Sequence, residues 1–272
     1  LLAWAASHGE VVLAGVEGTG SYGAGLTRHL HAEGVKVLEV DRPNRQRRRR
    51  RGKSDPQDAI TAARAAQSGD AQGEAKTRDG NVEAMRVLRV ARSSARKSRT
   101  QALNQMRSII STAPDQIRSE LRDLNVYRLL ERASAYRPGA RRDVASLTKL
   151  SLRALARRAL ALEAEIADID VILKELVHDT APELVARVGI GVDSATALLV
   201  AAGDNPGRLR NEATFAHLCG VAPVDASSGK HERHRLNRGG DRQANAALWR
   251  IVVTRMVYDQ RTCDYIERRT KE

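Results

Sequence analysis

An α/β domain followed by mostly helical structure is the fold class this sequence predicts, and three features predict it. Two apolar runs, VVLAGVE at 11–17 and VKVLEVD at 35–41, flank a helical pattern, AGLTRHLHAEG, that Gly34 closes. The stretch 76–180 carries helical periodicity with few strand signals, and from about residue 181 short helical patterns return between glycine turns. The 272 residues therefore divide at 1–75, 76–180 and 181–272.

Strand, helix, strand with short links predicts a right-handed crossover and a parallel sheet covered on both faces. The glycine-rich GTGSYG leads from the first strand into its helix. After the second strand comes DRPNRQRRRRRGKSDPQDA at 41–59, with six arginines in the seven positions 45–51. SDPQDAITAARAAQSG then reads as a helix with Pro56 at its first position and Gly69 near its end.

In the middle stretch the helices are interrupted at Pro114 and at Pro138-Gly139. Leu152, Leu155, Ala159, Leu162, Ile166, Ile169, Leu173 and Leu176 alternate spacings of three and four, the seam of a left-handed coiled coil. The preceding helix offers Leu88, Ala95, Ala102, Met106 and Ile109 but sets Arg92 and Arg99 among them, which predicts a poor continuous partner. Self-association into a homodimer or homotetramer through this seam is the expectation, and an intramolecular hairpin is the alternative. Further on, LVARVGIGVDSATALLVAAGD reads as two short helices joined by a helix-hairpin-helix-like turn at Gly189-Ile190-Gly191, with Ser194 placed to cap the second. NEATFAHLCGVAP predicts a short helix ending at Gly220, VDASSGKHERHRLNRGG a loop, and DRQANAALWRIVVTRMVYD a final long helix.

Lys and Arg outnumber Asp and Glu by 46 to 33, a formal charge of +13, which favours a polyanionic partner. Basic residues crowd at 42–53 and 228–242, as a binding surface would have them. Arg45, Arg47, Arg48, Arg49, Arg50, Arg51 and Lys53 form the first group; Lys230, Arg233, Arg235, Arg238 and Arg242 belong to the second. Aromatic residues make up 3%, so phosphate contacts rather than stacking should dominate recognition. Gly189 and Gly191 could present backbone N–H groups to a phosphate. Cys219 and Cys263 have no metal-ligand spacing, and no apolar run is long enough to span a bilayer, which suits a reducing cytoplasm.

Glu17 ends a parallel strand, where open α/β sheets place their ligand sites. Asp55 and Asp58, three apart, share one face at a helix start; with Glu17 they could make an all-oxygen site preferring Mg²⁺ or Mn²⁺. The alternative is a capping role, with Asp55 as the N-cap and Asp58 as the third helical residue. Guanidiniums just upstream would draw a phosphodiester backbone towards such a metal. Asp41, a rival carboxylate, is followed by Arg42-Pro43 and better fits a turn. In the second basic cluster Ser227 and Ser228 precede Gly229, and a hydroxyl there faces phosphate rather than carbonyl chemistry.

The stretches GVEGTGSYGAGL, GVKVLEVDRPNRQRRRRRGKSDPQDA, GIGVDSATALL, TFAHLCGVAP and SSGKHERHRLNRGGDRQANAAL, in this order, resemble the DEDD transposases of bacterial insertion sequences, the IS110 family. The resemblance implies a partial RuvC-like, RNase-H-like metal domain at 1–75, a helical coiled-coil region at 76–180 and a transposase domain at 181–272 carrying a serine nucleophile. Glu17, Asp55 and Asp58 fall on the last three of four family carboxylates. Ser228 falls on the nucleophile, with Ser227 as the other register. By similarity the chain would act on DNA as a dimer or tetramer, in the bacterial cytoplasm at the nucleoid, guided by a structured noncoding RNA. The family's first aspartate lies on a strand upstream of Glu17, before this chain begins, so weak cleavage is expected. A RuvC-type endonuclease using water, and an inactive nucleic-acid-binding remnant, are the other two readings.

Overall fold

The computed structural model describes residues 1–40, 54–71, 73–140, 142–205 and 207–271. Two compact units form: Leu1–Glu83 with Glu183–Glu272, and Ala84–Pro182. Asp41, the arginine run and Lys53 lie outside the described residues.

The first unit opens with α1 (Leu2–Ala6), β1 (Leu13–Glu17), α2 (Ala24–Ala32) and β2 (Lys36–Val40). The two strands pair in parallel, Leu13 opposite Lys36 and Glu17 opposite Val40, as the strand-helix-strand pattern predicts. Strand alternation sends Val16 and Val37 to one face with Leu30 of α2. Leu38 and Val40 go to the other, with Ala62 and Ala66 of α3 (Asp55–Ser68). Both faces are therefore covered. Beyond α3 the chain adds a short antiparallel edge that lacks any apolar alternation: Glu39 N–H donates to the Gly73 carbonyl at 2.8 Å and Ala75 N–H to that of Val37 at 3.0 Å.

Pro56 lies in the first turn of α3, and Gly69 ends it in the left-handed region, φ 78°. The N-cap is Ser54, which corrects the capping alternative: Asp55 is already helical, and neither aspartate is the cap residue.

α4 (Asn81–Ser111) begins in the first unit and runs on from Ala84 in the second, where α5 (Asp115–Leu121), α6 (Val126–Ser134) and α7 (Val144–Thr180) follow. The breaks fall where prolines and caps put them. Pro114 precedes α5, Asn125 accepts from Arg128 N–H at 3.0 Å, and Asp143 accepts from Ser146 N–H at 2.7 Å. Met106, Ile117, Leu121 and Leu130 pack with Leu152, Ala156 and Ala159 into one core.

The seam of α7 meets α4 of the same chain. Arg99 pairs with Glu163 at 3.1 Å, and Arg92 pairs with Asp170. The expectation that these arginines spoil α4 as a partner is thus corrected, because α7 supplies a carboxylate to each. Leu152, Ala159, Ile169 and Leu173 are buried, while Leu155, Leu162, Ile166 and Leu176 are half-buried. The hairpin alternative describes this chain's own packing.

The first unit resumes with α8 (Pro182–Val185), α9 (Val192–Ala202), α10 (Glu212–Leu218), β3 (Val224–Asp225), β4 (His234–Arg235), α11 (Arg242–Tyr258) and α12 (Gln260–Lys271). Ala197 and Ala201 of α9 lie on Ala244, Ala247 and Ile251 of α11, small residues that permit close helix approach. Ser194 does not cap α9: Gly191 is the N-cap, and Ser194 is buried one turn inside. The segment read as a loop at 224–240 contains the β3–β4 hairpin, whose strands are two residues each and, Val224 apart, polar, too short to show the alternation that announces a strand.

The two halves of this unit are fastened by the segment after α3. Lys76 Nζ donates to the Val200 carbonyl at 2.6 Å, Arg208 Nε to that of Glu74 at 3.0 Å, and Asn205 Nδ2 to that of Ala75 at 2.9 Å, while its Oδ1 accepts from Thr77 N–H at 3.0 Å.

Candidate functional site

Ser228 stands at the tip of the β3–β4 hairpin. Its N–H donates to the His231 carbonyl and its carbonyl accepts from His231 N–H, both at 3.2 Å, leaving Gly229 and Lys230 as a two-residue turn. Gly229 has φ 58°, the glycine-first form such turns favour. The neighbouring serine is committed elsewhere. Ser227 Oγ accepts from Arg233 N–H at 3.0 Å, and Ser227 N–H donates to Asp225 Oδ1 at 2.8 Å. Hydrogen bonding from Ser227 holds the Asp225 carboxyl below its usual range. The Ser228 hydroxyl, by contrast, is exposed and makes no hydrogen bond among the described residues.

The register of the hairpin opposes Val224 to Arg235 and Asp225 to His234. Continued to Ser228 and His231, it puts Ser228, His231, Arg233 and Arg235 on one face, with Ser227 and His234 on the other. A hydroxyl that shares one strand face with two arginines and a histidine is a setting for phosphate. Lys230 in the turn, and Arg238 and Arg242 beyond the hairpin, are exposed.

Glu17 shares the α3 side of β1 with Leu13 and Gly15 by alternation. Gly15 is required there: a Cβ on it would lie 2.4 Å from the Ala62 carbonyl oxygen. Asp55 and Asp58 occupy the first turn of α3. Their oxygen chemistry suits Mg²⁺ or Mn²⁺. Among the described residues no group of three or more His, Cys, Asp or Glu side chains is arranged to hold a metal ion, so these carboxylates alone do not complete a site. The structure brings Glu17 and α3 to one sheet face without closing a metal shell.

Sequence reading missed the residues that set the loop after Glu17. Thr19, buried, donates from Oγ1 to Glu39 Oε1 at 2.7 Å, and Glu39 Oε2 lies 3.9 Å from Arg208. Arg78, with φ 57°, lays its guanidinium on Gly20, where a Cβ would meet Nη2 at 2.9 Å. Burial, reinforced by Arg208 and Arg78, lowers the Lys76 ammonium's pKa. Only long-range pairing reveals this cluster.

At the glycine turn, Gly189 has φ 83° and packs on Ile251 and Arg255, while Gly191 is open to solvent. Arg187, Ser194, Arg250 and Thr254 line a cleft of about 510 Å³ with these glycines, and Asp193, also lining it, lies 3.6 Å from Arg250. The two arginines were not visible as site residues because each reads as one more basic residue on a helical pattern.

Residues 1–114 match a family model described as a transposase, of the IS110 DEDD type, and residues 183–267 match one described as transposase IS116/IS110/IS902 family. A curated relative, the Insertion element IS110 uncharacterized 43.6 kDa protein of Streptomyces coelicolor, is 34% identical over 120 residues. That alignment spans 43% of this chain and 28% of the relative. No helix among the described residues is long and apolar enough to cross a membrane. Matched at residues 1–114 and again at residues 183–267 by models of the same family, the chain belongs to the IS110 family of transposases.

Proposed function

We propose that this chain is a DNA transposase that cuts and rejoins strands of a bacterial insertion sequence through attack of Ser228 on a phosphodiester. The observation that carries the reading is the exposed Ser228 hydroxyl, uncommitted among the described residues, at a glycine turn beside the cationic strand that carries Arg233 and Arg235. Ser228 Oγ loses its proton and bonds to phosphorus, the bond from phosphorus to one sugar oxygen breaks, and that oxygen takes up a proton. One phosphate ester replaces another of similar energy, so reversal reseals a strand without an external energy source. Arg233 and Arg235, on the hydroxyl's face, offset the charge that builds on the phosphoryl oxygens. His231, opposite Ser228, is positioned to exchange the proton. Ser227, tied to Arg233 and Asp225, supports the hairpin rather than the chemistry.

The family's divalent metal would fall to Glu17, Asp55 and Asp58, with Mg²⁺ or Mn²⁺ stabilising phosphoryl charge once a further ligand completes the set. A structured guide RNA and a dimer or tetramer are part of the same proposal, as is residence in the cytoplasm. The arginine run, Arg45 and Arg47 to Arg51 with Lys53, would hold the phosphate strand, together with Gly189, Gly191, Lys230, Arg238 and Arg242. Incubation with an insertion-sequence end in Mg²⁺, followed by denaturing electrophoresis, should trap a covalent protein–DNA adduct. Ser228→Ala should abolish it and Ser227→Ala should retain it. Cleavage that persists in Ser228→Ala without an adduct would replace this mechanism with attack by water.

A further inference from the structure

The chain holds only eight aromatic residues, two Trp, five Tyr and one Phe, and three of them, Trp249, Tyr258 and Tyr265, fall within the last two helices. All three are exposed, at 66%, 75% and 53%. Low aromatic content argues against stacking as a general mode of recognition, but Tyr258 and Tyr265 flank the bend between these helices. Asp259 makes that bend. It ends α11 in extended geometry and accepts from Arg255 at 2.9 Å and from Thr262 N–H at 3.1 Å, so α12 leaves in a fixed direction. Hydrogen bonds from the Thr262 hydroxyl first, and then from Arg255, hold the Asp259 carboxyl below its usual range.

A cleft of about 460 Å³ opens at the bend, lined by Arg255, Arg261, Thr262, Asp264, Tyr265 and Arg268. Its volume falls within the range of small-ligand sites. The charges within it are unequal in freedom. Arg255 is spent on Asp259, and Asp264 accepts from Gln260 Nε2 at 2.7 Å. Arg261 and Arg268 make no ion pair among the described residues. The Arg268 guanidinium lies 5.4 Å from the Tyr265 ring centroid, so one planar cation already stacks beside the open ring.

We propose that the cleft at the α11–α12 elbow binds unpaired nucleotides, a base stacking against Tyr265 and the flanking phosphates pairing with Arg261 and Arg268. The inference rests on the nucleic-acid reading of the chain and adds to it a site that discriminates single strands from duplex. Paired bases cannot offer a ring face to Tyr265, whereas an extruded or looped-out nucleotide of DNA or RNA can. Two arginines around one tyrosine give phosphate neutralisation and a sequence-tolerant platform in the same cleft.

The experiment is fluorescence anisotropy of the full chain with single-stranded oligonucleotides of about a dozen nucleotides, one DNA and one RNA, and with the matching DNA duplex. Tyr265→Ala should weaken binding of one or both single strands by about ten-fold and leave the duplex unchanged; whichever strand loses more identifies the source. Tyr265→Phe, which keeps the ring, should restore affinity to within about two-fold. Arg261→Gln combined with Arg268→Gln should reduce the single-strand salt slope by about 1.4, roughly 0.7 per lost contact. Duplex binding by the unaltered chain reports on the transposase reading, and its absence would defeat that reading; absence of binding to duplex and single strands alike would defeat both. With duplex binding intact, equal loss on duplex and single strands, or no loss on either single strand, overturns the proposal. So would a Tyr265→Ala chain that binds both strands normally but loses a self-association seen by sedimentation, since the face would then be an interface between copies.

Discussion

The Asp204 carboxylate caps a helix that begins far away in the chain, accepting from Val82 N–H at 2.9 Å and, through its other oxygen, from Glu83 N–H at 3.2 Å. These are first-turn donors of α4, which no intrahelical carbonyl can satisfy. Gly80 makes the approach possible, since a Cβ there would sit 2.3 Å from Asp204 Oδ1. Asp204→Ala should therefore lower stability by about 1–2 kcal/mol in urea denaturation. Asp204→Asn should recover part of it, and Gly80→Ala should destabilise in the same direction as Asp204→Ala.

Gly15 governs how closely α3 sits on β1. With the Ala62 carbonyl carbon 3.0 Å and the Ala66 methyl 3.1 Å from a Cβ built there, Gly15→Ala must push α3 outward. The expected cost is about 1–3 kcal/mol by thermal or chemical unfolding. Because α3 carries Asp55 and Asp58 in its first turn, the same change should alter any acidic-residue chemistry shared with Glu17. Ser68→Ala, at the exposed far end of α3, should do neither.

What was legible in the sequence was local. The β1–α2–β2 crossover follows from two apolar runs and a helical pattern ended by Gly34, and α3 follows from Pro56 and Gly69. The glycine turn at 189–191 was equally readable. The hairpin holding Ser228 was not, because its strands are only two residues long, His234 and Arg235 are exposed and polar, and its turn is set by one positive φ. Nor was the bond from Thr19 to Glu39, or the laying of Arg78 on Gly20, since both join residues with no shared period. The pairing of α4 with α7 was misjudged for a physical reason. An arginine on a helical seam reads as a defect until a carboxylate on the opposing helix is seen to meet it.

That pairing rests on packing more than on charge. Glu163 is 39% and Asp170 42% exposed, so solvent screens both ion pairs. A double-mutant cycle of Arg99→Ala and Glu163→Ala should give a coupling below about 1 kcal/mol. Leu152→Ala and Leu173→Ala remove buried side chains from the same long helix and should each cost about 2–5 kcal/mol. A coupling energy as large as the leucine losses would show that charge holds the hairpin.

Tyr136 makes the second unit sensitive to alkali. Its hydroxyl donates to Glu120 Oε2 at 3.1 Å, and Arg132 pairs with the other oxygen. Burial first, and then the Glu120 charge, push the phenol from 10.0 up to about 12. The folded value lies above the unfolded one, so folding favours the protonated phenol. Its contribution is fully present below pH 10.0 and is lost as pH rises towards about 12. Tyr136→Phe removes the hydrogen bond, at about 1 kcal/mol below that window, together with the titration. The stability difference between the original chain and Tyr136→Phe should therefore shrink steadily across that alkaline window in urea denaturation at fixed ionic strength. A difference that stays constant would mean that the phenol ionises alike in the folded and unfolded chains.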